Sequence, residues 1–235
     1  MKGFATAVFV AALLGTGCDR LPGRPKPGAA EVRPDEVKNF AVLYAENCAA
    51  CHGPDGRGGA GAIGLANPVY LATADDAAIR RATASGVAGS LMPPFARGAG
   101  GMLTDAQVEV LVRGIRGWEQ PGALAGATPP PYAGQAGEAA RGAAVFATFC
   151  SGCHGTNGVG GPKASSIVDG SFLGLVSDQS LRTTVIAGRP DLGQPDWRND
   201  VPGRALDAQD VSDVVAWLAA QRPAAPGQPY PGRNP

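Results

Sequence analysis

Histidine is almost missing from this 235-residue chain, which holds two, alongside five cysteines and three methionines. Acid–base chemistry built on imidazole therefore has little to draw on. Excess charge is missing too: 20 Lys and Arg balance 20 Asp and Glu, and only 17% of residues are charged. No net field draws the chain to nucleic acid or to a strongly charged membrane surface, so any docking charge is local. Strand-like alternation does not persist anywhere, and no methionine follows Met102. The apolar run Phe4 to Leu14 is too short to cross a bilayer as a mature helix. Gly and Pro are plentiful instead, 35 and 21 residues, and they fall between helical patterns. That is the composition of short helices joined by long ordered loops.

The scarce residues are concentrated. Cys48-Ala49-Ala50-Cys51-His52 and Cys150-Ser151-Gly152-Cys153-His154 hold both histidines and four of the five cysteines. Two thiols three positions apart can each add across a haem vinyl group to form a thioether, and the adjoining His then lies under the iron. A disulfide or a redox CxxC would leave the His after each second Cys without a reason. A tetrahedral zinc site needs four good N or S ligands, and each half offers three. The motifs therefore predict two covalently bound haems c, with Cys48, Cys51, Cys150 and Cys153 as thioether residues and His52 and His154 as iron ligands. A chain of this length suits one medium or two small domains. Two haems argue for two, each small enough that the apolar macrocycle forms part of its core.

In chain order, residues 1–17 read as a signal peptide, with Met1-Lys2 as basic start, the apolar run, then small residues. Cys18, the odd cysteine, follows Leu14-Gly15-Thr16-Gly17, which looks like a bacterial lipobox with Gly15 where Leu is usual. Lipidation of Cys18 is expected; the alternative is an ordinary signal peptide that leaves a thiol. Either reading exports the protein to the periplasmic side of a membrane. Residues 18–34 form a Pro- and Gly-rich tether, 35–120 a first domain, 121–136 a Pro- and Gly-rich linker, 137–222 a second domain, and 223–235 a Pro-rich tail. Pro34-Asp35-Glu36 suits the first turn of a helix that carries Phe40, Leu43 and Tyr44 and ends at Cys48. Thr104 and Gln107 spell a capping box before the stripe Val108, Leu111, Val112, Ile115 and Trp118. The second half repeats this with Asp207 to Asp210, then Val211, Val214, Val215 and Leu218, and Trp217 matches Trp118 only loosely.

The repeat also proposes sixth ligands. Met92, followed by Pro93 and with Phe95 three residues on, lies 40 residues beyond His52. The same step from His154 reaches Gln194, also followed by Pro and with Trp197 three residues on. Met92 is the expected partner of the first iron, with Met102 a core-packing residue. The second iron has no methionine and no further histidine to draw on. Gln194 can coordinate through its amide oxygen, sit beside an open or water-filled position, or yield to Lys163, whose ammonium must first lose a proton.

In these residues the chain resembles the dihaem class I c-type cytochromes over roughly residues 35–222. The resemblance implies an all-α fold of two tandem cytochrome c-type domains, each around one haem, with His52 and Met92 on the first iron and His154 on the second. It also implies a Pro carbonyl that orients the proximal imidazole, at Pro162 in the second half, whereas the loop Gly61 to Leu65 has no Pro. The expected function is electron transfer, as a tethered periplasmic carrier or a subunit of a respiratory complex, with redox proteins or sister subunits as partners and no catalysis of its own. The alternative is a haem enzyme or a sensor of peroxide, NO or CO built on a weakly ligated second haem. A purely structural haem subunit is a third reading.

Overall fold

A computed structural model describes residues 32–59 and 62–224. The signal run, Cys18, most of the tether and residues 225–235 of the tail lie outside the described residues, which form ten α-helices and no strand, with isolated β-bridges only.

Residues Pro34–Glu36 make a single 3-10 turn, closed by the Arg33 guanidinium on Glu36 Oε1 at 2.7 Å. The first helix does not begin there. It begins at Phe40, because Asn39 Oδ1 accepts from the Val42 amide at 3.1 Å and so satisfies a free helix-start donor.

The first half is built from α1 (Phe40–Asn47), α2 (Ala49–His52), α3 (Pro68–Thr73), α4 (Asp76–Ser85) and α5 (Asp105–Arg116). The second repeats the order as α6 (Ala139–Phe149), α7 (Ser151–His154), α8 (Gly170–Gly174), α9 (Asp178–Ala187) and α10 (Ala208–Ala219). Thr104 and Gln107 form the expected reciprocal capping box at α5, and Asp207 with Asp210 forms one at α10. The stripe Val108, Leu111, Val112 and Ile115 is buried, as are Val211, Val214, Val215 and Leu218. In each half the first and last helices cross closely, and glycine makes the crossing possible. A Cβ at Gly114 in α5 would meet the Phe40 ring at 2.0 Å, and one at Gly142 in α6 would meet the Asp213 carbonyl oxygen at 2.0 Å.

The linker is docked rather than loose at its end. Arg182, only 3% exposed, donates to the carbonyls of Pro131 and Tyr132 and to Ser212 Oγ. Gln179 Nε2 donates to the same Tyr132 carbonyl at 3.0 Å. Asn67 Nδ2 reaches the Ala187 carbonyl at 2.9 Å, a direct bond between the halves. Tyr70 and Leu71 of one half and Ile186, Ala187 and Trp197 of the other belong to one continuous buried core.

Candidate haem-attachment sites

Helix α1 delivers Cys48 at its C-cap, where the Cys48 amide still donates to the Tyr44 carbonyl at 2.9 Å. The chain then turns directly into α2, and the Cys48 carbonyl accepts from Cys51 and His52, so both thiols and the imidazole share one turn. Gly53 ends that turn at φ +81°, where a side chain would collide with the Gly58 carbonyl oxygen. Gly58 N in turn donates to the His52 carbonyl at 3.0 Å, and the Tyr44 hydroxyl donates to the Gly53 carbonyl at 2.7 Å. The imidazole is therefore gripped from both sides of its backbone.

His52 is buried, with Nδ1 2.8 Å from the Ile63 carbonyl oxygen. A carbonyl can only accept, so Nδ1 carries the proton and Nε2 keeps its lone pair for a metal. Burial lowers the His52 pKa; the Ile63 carbonyl opposes that shift and the Arg189 cation adds to it. Burial, with Cys51 adding, pushes the Cys48 thiol up to about 11. The Tyr44 hydroxyl, also raised mainly by burial, reaches about 12.

The second half repeats the arrangement with a weaker grip. Cys150 caps α6, Gly155 takes φ +72°, and Gly160 N donates to the His154 carbonyl at 2.8 Å. Phe146 stands where Tyr44 stands, so the hydroxyl bond to the turn has no counterpart. The thiol of Cys150 is also raised to about 11, by burial and then by Cys153. His154 Nδ1 faces the Ser165 carbonyl at 3.4 Å, longer than the 2.8 Å in the first half. The orienting carbonyl is thus Ser165 and not Pro162. Gly161 N donates to the Ala164 carbonyl, which folds Pro162 and Lys163 into an exposed turn and brings Ser165 forward. In both halves the acceptor is the eleventh residue after the His, Ile63 and Ser165. As a main-chain group it leaves no side-chain signature.

The sixth-position candidates occupy matching loops. Val87 N donates to the Met92 carbonyl at 3.0 Å, and Arg189 N to the Gln194 carbonyl at 3.0 Å. Gly86 at φ +70° and Gly188 at φ +69° let the Pro-containing segment that follows pass within contact. Leu103 N donates to the Phe95 carbonyl and Leu206 N to the Trp197 carbonyl, both at 2.8 Å. Met92 and Gln194 are therefore equivalent in backbone, not only in count. Gln194 Nε2 donates to the Thr184 carbonyl at 3.3 Å, which leaves Oε1 as its remaining donor atom for a metal. Lys163 sits on the other loop, the one that orients His154. Met102 is 84% exposed and is no core residue; Leu103 beside it turns inward instead, at 6%.

The donor set fits a haem c in each half: two thiols and one imidazole on a single turn, Nε2 left with its lone pair, and glycines where the loop passes closest. Among known protein families, residues 139–221 match the model of cytochrome c, and residues 35–113 match that of cytochrome c oxidase, cbb3-type, subunit III. With two such domains in tandem, each carrying CxxCH, the chain is a dihaem c-type cytochrome, with two covalently bound haems through which it transfers electrons. Of solved structures, it is similar to the KustC0563 c-type cytochrome, at 29% identity over 35% of this chain and 99% of that one, with a TM-score of 0.31. It is also similar to the Kuenenia stuttgartiensis reducing HAO-like protein complex Kustc0457/Kustc0458, at 18% identity over 80% of this chain and 99% of that one, TM-score 0.45. No curated protein matches it.

Two charged residues on the second half's sixth-position loop, Arg189 and Asp191, were not read as site residues from the sequence. Their signal lies in the repeat: the second half places a cation and a carboxylate where the first has Val87 and Gly89.

Proposed function

We propose that this dihaem cytochrome is a lipid-anchored electron carrier on the periplasmic side of a membrane, or a subunit of an electron-transfer complex there. In this reading His52 and Met92 hold the first iron, His154 holds the second, and Gln194 stands at the second iron's sixth position. A haem held by His and Met exchanges one electron with little reorganisation, because no position is left open for chemistry. The observation that carries the reading is the matching pair of loops at Met92 and Gln194, which share the bonds from Val87 and Arg189 to their carbonyls and from Leu103 and Leu206 to the aromatic that follows.

Optical and EPR spectra of the full-length protein test it. Met92→Ala is expected to abolish a thioether-to-iron charge-transfer band and lower the first haem's potential, and a band that survives overturns the assignment. The second haem is expected to have the lower potential, since an amide or water does not favour ferrous iron as a thioether does. Gln194→Met is expected to add a second thioether band and raise that potential alone. Membrane attachment rests on Cys18: Cys18→Ala is expected to release the protein to the soluble fraction, and unchanged partitioning points to anchoring through a partner.

The reading of the second haem as a ligand-binding centre has one observation in its favour. The Gln194 amide nitrogen is already engaged by the Thr184 carbonyl, so the side chain has only its oxygen, a weak donor, left to offer a metal. Carbon monoxide binding by one of the two ferrous haems supports this reading, and binding by neither excludes it.

A further inference from the structure

Arg189 is a buried cation, 7% exposed, whose guanidinium leaves its own half. Nη2 donates to the Gly59 carbonyl of the first half at 3.2 Å. Nε and Nη2 clasp the two oxygens of Asp191 at 2.9 and 2.6 Å. Asp191 lies against the same first-half loop: a Cβ at Gly58 would come within 3.1 Å of its Oδ2. That loop is the one tied to the proximal ligand, since Gly58 N donates to the His52 carbonyl and a Cβ at Gly59 would meet the Cys51 carbonyl at 3.1 Å. The backbone of Arg189 is pinned by two bonds with Gln194, N to O in each direction at 3.0 Å.

The fold does not require this ion pair. The first half closes the corresponding loop with Val87 and Gly89 through the Val87 amide on the Met92 carbonyl, and Gly89 has nothing within 4 Å of where a side chain would start. A buried Arg–Asp pair offers little stability over apolar packing, so its placement calls for another reason. It reaches the proximal ligand through the chain: the Gly59 carbonyl that it holds is next to Gly58, whose amide donates to the His52 carbonyl.

We propose that Arg189, carried by the second half's sixth-position loop, is a positioning residue for the first haem and that, balanced by Asp191, it sets that haem's reduction potential across the join between the halves. A cation near the iron favours the ferrous form, which carries one positive charge fewer, and a carboxylate favours the ferric form. The two members of the pair therefore act with opposite signs.

Spectroelectrochemical titration of the full-length dihaem protein tests this, with each haem followed by its own absorption change. Arg189→Gln leaves the Asp191 carboxylate facing the loop, and the first haem's midpoint is expected to fall. Asp191→Asn leaves the guanidinium uncompensated, and the same midpoint is expected to rise. The double variant is expected to lie between them, and Arg189→Lys to stay nearer the parent than Arg189→Gln. Loss of packing alone moves both single variants the same way. Shifts of the same sign, or a first-haem midpoint that Asp191→Asn leaves unmoved, overturn the proposal. It rests on a haem at Cys48 and Cys51 and not on the ligand assignments above: if Met92→Ala keeps the thioether band, those assignments fail while the opposite signs remain to be read.

Discussion

A methyl group added at Gly142 would lie 2.0 Å from the Asp213 carbonyl oxygen, with main chain on the far side that has nowhere to go. Gly142→Ala is therefore expected to destabilise the second half by about 1–3 kcal/mol, as overpacking does, measured by denaturant unfolding. Asp213 itself is 2% exposed and accepts from the Glu138 amide, Arg141 and Gln209. The Arg141 guanidinium first, with the Glu138 amide and Gln209 adding, holds its carboxyl down at about 2. A carboxyl depressed on folding contributes stability above its ordinary pKa of 3.8 and loses it as pH falls through about 2. Asp213→Asn should accordingly cost stability at pH 7 and flatten the acid limb of a stability–pH curve below pH 4. At this scale the motif residues were legible because chemistry restricts them to Cys and His. Met102 was misread because a hydrophobic residue one place before a helix can face either way, and here Leu103 took the inward position. Arg189 and Asp191 were passed over because charged residues in a Gly- and Pro-rich loop ordinarily face water.

The starts of α5 and α10 were legible, since a cap is a local contact between residues three apart. Thr104→Ala removes the acceptor for the Gln107 amide and is expected to lower stability by about 1 kcal/mol, read as a lower midpoint with an unchanged m-value. The first helix was placed too early because Pro and two acids imitate a first turn, while Asn39 made the actual cap. The loose match of Trp217 to Trp118 has a packing reason. In the helix crossing, Phe40 faces Gly114 in the first half, and at the equivalent places Gly142 faces Trp217 in the second. The large and small partners have exchanged helices while the crossing is kept. Trp118, from just beyond α5, meets Tyr44 edge-on at 5.0 Å, whereas Trp217 stacks on Phe146 at 4.4 Å. The exchange is not freely reversible: Trp217→Gly is expected to be strongly destabilising, and adding Gly142→Phe is expected not to restore it, because a Cβ at position 142 still meets the Asp213 carbonyl oxygen at 2.0 Å. Recovery in a double-mutant cycle would show that the main chain there gives way.

For the molecule as a whole, sequence spacing shows two repeats but not how they are joined. Pro129 to Pro131 reads as a spacer, and what holds its end is a pair of main-chain carbonyls, which every residue possesses. Arg182, buried against them, is expected to matter through that clamp. Arg182→Leu should speed proteolysis within residues 121–136 while leaving both haem absorption spectra intact, a result read by mass spectrometry of the fragments beside an optical scan. The Asn67 bond to Ala187, the Arg189 bond to Gly59 and the shared core hold the halves in one arrangement. Two separate one-haem proteins would have to find each other by diffusion before an electron could pass. Here the encounter is built in, so transfer between the haems is a first-order process, and its rate after rapid half-reduction should be the same in dilute and concentrated solution and indifferent to added salt.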